Sequence, residues 1–162
     1  MPKIIIRTGS VGGTGTSWAY IAGLFDGEGC FSIFLRNKTH KYPNIGVKAS
    51  ISGDDEHLKI IGHFLYGEGI ISCISKKSKI NSQAYDLTLS SFDSVKVFIN
   101  KITPFLILKK PQVELVLEAI KKKEELKLSH NKIYKNLRPF DELRRKLHEY
   151  SRKGLRILKP WY

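Results

Sequence analysis

Acidic side chains are scarce in this sequence, cysteine is scarcer, and no apolar run is long. The 162 residues hold 15 Asp+Glu against 28 Lys+Arg, a formal net charge of +13 at pH 7. That imbalance excludes an acidic chain built to hold basic partners. The only cysteines are Cys30 and Cys73, each in an apolar, β-like stretch without a second Cys or a His at metal-ligand spacing. Neither a disulfide framework nor a zinc site is suggested, and both read as buried thiols. No apolar stretch approaches the roughly 18 residues of a membrane span, and Ile4-Ile5-Ile6 is too short for a signal-peptide core. The expectation is a soluble, intracellular chain with no membrane partner.

What is present is enough for a core. Hydrophobics make up 41% of the chain, which excludes a disordered polybasic tail. A domain of about 150 residues buries roughly 70% of its unfolded surface. A sequence pI near 9.8 is the footprint of a polyanion binder, because each phosphate met by Lys or Arg releases a condensed counterion. An acidic membrane would instead call for a basic amphipathic helix with exposed Trp, Phe or Leu. The positive charge gathers late, in Lys109-Lys110, Lys121-Lys122-Lys123, Arg144-Arg145-Lys146 and Arg152-Lys153. Much of it alternates with Glu, so any one cluster reads equally well as a solvated helix face with i,i+4 pairs.

Residues 1–16 end in a Gly/Ser/Thr run without the Gly-Lys-Ser/Thr of a phosphate loop, and read as a flexible lead-in. Ser17 then suits a helix N-cap, and Gly29 its stop. From Phe31 the period becomes two. Phe31, Ile33 and Leu35 alternate with Ser32, Phe34 and Arg36, and Ile45, Val47, Ala49 and Ile51 do the same after a turn at residues 41–44, which predicts a hairpin. Leu58, Ile61 and Leu65 mark a helix behind the acidic entry Asp54-Asp55-Glu56. A second hairpin is expected over 70–76 and 84–89, then helices at 92–102 and 112–126. Residues 127–162 read as a basic extension with one more helix near 139–151.

The first helix carries Ala19, Gly23 and Gly27 at four-residue spacing. Each Gly costs about 1 kcal/mol against Ala inside a helix, and close approach of a second helix is a reason to keep them. Asp26 and Glu28 stand at the end of that helix, where the macrodipole is negative. Acids at that end suggest a cation, and a hard ion such as Mg²⁺ takes carboxylate oxygen while keeping waters.

The run Ile21-Ala22-Gly23-Leu24-Phe25-Asp26-Gly27-Glu28-Gly29 resembles the signature of the LAGLIDADG homing endonucleases, and Thr103 to Gln112 resembles a second segment of that family. The resemblance implies an α+β, αββαββα fold over residues 17–126, with an antiparallel β-ribbon saddle for DNA and C-terminal helices. It implies hydrolysis of phosphodiesters in double-stranded DNA at a long pseudo-palindromic, intron-insertion-type site. Glu28 falls on the metal-binding acid and Lys109 on the catalytic lysine. Mg²⁺ is the implied metal, with Ca²⁺ or Mn²⁺ able to take its place in binding. One motif per chain implies a homodimer packed through Ala19, Ala22, Gly23, Asp26 and Gly27, with Asp26 bracing the helix junction more than binding metal. The implied location is intracellular, the cytoplasm of a prokaryote or an organelle.

With the alternating apolar residues turned inward, the opposite face of the hairpins carries Ser32, Phe34, Arg36, Lys38, Asn44, Lys48 and Ser50, then Ser72, Lys76, Asp86 and Thr88. A twisted β-ribbon fits the major groove, where such side chains reach base edges. The family often orders its water shell with Gln and a basic residue near the end of the second strand. Here Gly53 stands in the Gln position, with His57 the available substitute. A second reading keeps the scaffold without cleavage, as an RNA maturase bound to intron RNA or a DNA-binding regulator. A basic structural protein explains the charge but neither the glycine stripe nor the acid pair.

Overall fold

A computed structural model describes residues 15–36, 44–77, 84–128 and 137–150. Residues 1–14 of the expected 1–16 lead-in, Lys38, and the Arg152-Lys153 cluster lie outside the described residues.

Ser17 opens helix α1 (Trp18–Glu28) by accepting a hydrogen bond from the Tyr20 N–H, leaving Ile21, Ala22, Phe25 and Asp26 on its buried side. Gly29 ends it for want of room. A Cβ there would lie 2.4 Å from the Phe25 ring. The chain turns directly into β1 (Gly29–Arg36) and returns as β2 (Asn44–Gly53). Helix α2 (Asp55–Gly67) is capped by Asp54, whose carboxylate accepts from the His57 N–H at 2.8 Å. It closes at Gly69, where φ is +76° and the Ile70 N–H reaches back to the Leu65 carbonyl. Glycine suits that left-handed position. Strands β3 (Cys73–Lys76) and β4 (Tyr85–Leu89) follow, then α3 (Phe92–Ile102), a short 3₁₀ turn at Thr103–Phe105, α4 (Lys110–Leu128) and α5 (Arg138–Glu149).

The four strands form one antiparallel sheet in the order β1-β2-β4-β3. Its inner face carries Phe31, Ile33, Val47, Ala49, Ile51, Ile74, Leu87 and Leu89, packed in one core with Phe25, Leu58, Ile61, Phe98 and Ile99 from the helices. Helix α5, expected within a basic extension, adds Phe140, Leu143 and Leu147 to this core and packs on β1 and α4. An antiparallel sheet covered on one side leaves its other face open.

The late basic clusters are less of a surface than their count suggests. Lys123 is buried, with Nζ donating to the Ile45 carbonyl at 2.7 Å and lying over the Phe92 ring. Arg144 and Arg145 both close on the buried Asp141 carboxylate. Lys121 and Lys122 pair with Glu125 and Glu118 at i,i+4.

Candidate active site and nucleic-acid interface

The end of α1 and the segment before α4 hold each other. The Asp26 carboxylate accepts backbone N–H bonds from Ile107 (2.6 Å), Leu108 (3.2 Å) and Lys109 (3.0 Å). These donors lie in the turn that leads into α4, and the carboxylate satisfies three successive backbone N–H groups there. In return the Lys109 ammonium donates to the Asp26 carbonyl oxygen, at the negative end of α1. The clasp sets the lysine on a carbonyl two residues before Glu28, so both expected catalytic side chains stand at one helix end.

Glu28 is exposed. Its carboxylate makes no hydrogen bond or ion pair with any described residue. An acid left in that state at the negative end of a helix is suited to a cation that keeps part of its hydration shell. No group of three or more His, Cys, Asp or Glu gathers to hold a metal among the described residues.

The small-residue stripe divides. Ala19, Gly23 and Gly27 are exposed, and a Cβ added at either glycine would meet nothing within 4 Å. Ala22 and Asp26, expected on the same contact surface, are buried inside the protomer. At about 100° per residue they share a side of the helix with Ile21 and Phe25, and Asp26 is spent on the clasp. The clasp leaves the side chains of Ile107 and Leu108 81% and 60% exposed.

Replacing Asp26 by Asn sets an amide nitrogen against N–H donors. We expect a loss of about 3 kcal/mol, since hydrogen bonds to charged groups contribute about 1.5–3 each. For a chain of this size that lowers Tm by roughly 6–12 °C. Calorimetry that finds Tm unchanged would mean the clasp does not hold the fold.

On the sheet's open face the ladder brings together most of the expected residues. Ser32 pairs with Lys48, Arg36 with Asn44, and Ser50 with Thr88; Phe34 lies across from Gly46 and Asp86 across from Ser52. The β3 assignment is overturned. Ile74 pairs with Leu87 in the core, so Ser72 and Lys76 share its inward phase, while Cys73 and Ser75 stand across from Thr88 and Asp86 on the open face. The Lys77 N–H continues the ladder by donating to the Ala84 carbonyl, which gives the open face Lys77 in place of Lys76. A slip of one residue exchanges the faces of a strand.

The thiols are corrected with it. Cys30 is exposed and Cys73 half-buried, because both take the open phase of their strands.

Gly53 ends β2 without a side chain to order water. His57 is engaged elsewhere, with Nε2 on the Tyr20 hydroxyl, and Tyr20 lies eight residues before Glu28, about 12 Å up the helix. Sequence reasoning missed a cluster beside Gly53. Ser52 Oγ donates to Asp86 Oδ1 at 2.6 Å, and Lys77 Nζ lies 2.8 Å from Ser52 Oγ and 3.3 Å from Asp86 Oδ1. Its signal was the polar alternation of Lys48, Ser50 and Ser52 on β2, readable only once β4 is known to lie beside that strand.

No curated relative matches the chain. Among solved structures it is similar to the archaeal intron-encoded homing endonuclease I-Vdi141I complexed with DNA, with TM-score 0.67 at 23% identity over 88% of each chain. The homing endonuclease I-CvuI in complex with its target in the presence of Ca gives TM-score 0.65 at 20% identity, over 87% of this chain and 85% of that one. The homing endonuclease I-TnaI gives 0.56 at 18% identity, over 84% and 99%. At these identities the likeness establishes the fold. The sequence profile described as LAGLIDADG endonuclease matches residues 21–116, a span that holds most of α1, the whole sheet and the Asp26–Lys109 clasp. The chain therefore belongs to the LAGLIDADG endonuclease family.

Proposed function

We propose that the chain is a homodimeric homing endonuclease that hydrolyses one phosphodiester on each strand of a long pseudo-palindromic DNA site. The observation that carries this reading is Glu28, an exposed carboxylate without a partner among the described residues, beside a lysine held at the same helix end. A pure binder has no use for an uncompensated acid among phosphates.

One protomer offers a single such acid. Two protomers joined through Ala19, Gly23 and Gly27 bring two Glu28 carboxylates together, and Ile107 and Leu108 supply apolar area beside that seam. Two-fold symmetry in the protein calls for a pseudo-palindromic site. The paired Glu28 side chains would hold divalent metal, Mg²⁺ above all, which when bound supplies Lewis-acid polarisation and an activated water. The protein's own residues orient the reaction. Asp26 fixes the 107–109 backbone, this fixes the Lys109 ammonium, and that positive charge stabilises negative charge developing on a phosphate oxygen. Ser32, Phe34, Asn44, Lys48, Ser50, Asp86 and Thr88 would meet base edges and backbone. That the similar I-Vdi141I and I-CvuI were seen with DNA supports DNA as the partner.

Plasmids carrying randomised inserts, incubated with the chain and Mg²⁺, should be linearised at one pseudo-palindromic sequence, and chelation by EDTA should stop it. Tight, salt-sensitive binding with no cutting at any Mg²⁺ concentration would replace this reading with the non-cleaving one.

A further inference from the structure

We infer that Lys77, Asp86 and Ser52 form one base-reading unit that selects a G·C pair in each half of the DNA site; this rests on the proposed use of the open face for DNA. Asp86 is the only carboxylate on that face among the described strand residues. An acid turned toward a polyanion is repelled unless it has a specific donor to meet. Here it is half-neutralised in advance. Lys77 and Asp86 form an ion pair at 3.3 Å, their side chains 36% and 32% exposed, and Ser52 bonds both.

The bonding leaves a defined remainder. Lys77 has three N–H donors and directs two at Ser52 Oγ and Asp86 Oδ1, so among the described residues one has no partner. Asp86 uses Oδ1 for Ser52 and Lys77, and no described residue bonds Oδ2, which leaves it an acceptor. A donor and an acceptor therefore stand side by side on the open face. In the major groove Lys pairs with guanine O6 or N7 and Asp accepts from cytosine N4, and O6 and N4 adjoin on one G·C pair. The unit matches both halves of that pair at once. Its internal pairing also keeps Lys77 from acting as a free phosphate contact, so it adds selectivity without adding non-specific affinity.

The test is selection from a randomised duplex library with the full chain and with Asp86→Asn, Lys77→Met and Ser52→Ala, alongside binding of one random-sequence duplex across a salt series. The wild type should enrich G·C at one position per half-site. Asp86→Asn and Lys77→Met should each relax that same position by on the order of tenfold, Ser52→Ala should relax it less, and all other positions should stand. Asp86→Asn should also steepen the log K against log salt slope on the random duplex by about one, as Lys77 is released to phosphate, whereas Lys77→Met should not. A wild-type site whose every position survives the substitutions, or whose affected position is A·T, overturns this inference alone. A wild type that enriches nothing and binds without salt dependence overturns the DNA reading with it.

Discussion

Glu28→Gln should reduce double-strand cleavage by about a thousandfold or more while specific DNA binding stays within a few fold. The substitution keeps the size of an exposed side chain that bonds no other described residue, so folding has little to lose. It removes the charge that would hold a divalent ion. Lewis-acid stabilisation is worth several kcal/mol, and about 1.4 kcal/mol is a factor of ten in rate, which sets the thousandfold scale. Binding moves the other way if it moves at all, since one fewer negative charge per protomer faces the phosphates. Cleavage and gel-shift assays on the selected target decide it together. Parallel loss of binding and cutting would make Glu28 part of the DNA-holding surface, and undiminished cutting would move the reaction centre elsewhere.

Sequence reading succeeded where one local rule acts alone. Ser17 caps α1, the acidic entry Asp54-Asp55-Glu56 opens α2, and alternation in β2 names Ile45, Val47, Ala49 and Ile51 as inward because no competing phase is apolar. It failed where two rules compete. The stretch Ile70-Ile71-Ser72-Cys73-Ile74 is apolar in both phases, and only the pairing of Ile74 with Leu87, a long-range fact, decides between them. That single choice exchanged Lys76 for Lys77 and hid the Lys77–Asp86–Ser52 unit. Lys123 reads as surface charge in any window, yet a carbonyl of β2 and the Phe92 ring draw it inward. Asp26 and Lys109 each stand out in the sequence, but 83 positions separate them, and nothing local says that each binds the other's backbone.

Gly23→Leu should convert the dimer to monomers and abolish cleavage of the pseudo-palindromic target, while leaving each protomer at least as stable. The last clause gives the prediction its force. A Cβ at position 23 meets nothing within 4 Å, so the free protomer accommodates the larger side chain, and replacing Gly by Leu inside a helix gains up to about 0.8 kcal/mol of propensity. Sterically, the same side chain keeps a second α1 from approaching along Ala19, Gly23 and Gly27. Ile107→Glu tests the seam from its other element, because a charge on a residue 81% exposed in the protomer costs little until a partner covers it. Sedimentation of both variants, read beside their melting curves, separates the alternatives. Monomers with an unchanged or raised Tm establish the α1 seam. Dimers that persist in both variants take α1 out of the interface, and with it the pairing of two Glu28 carboxylates on which the proposed metal site depends.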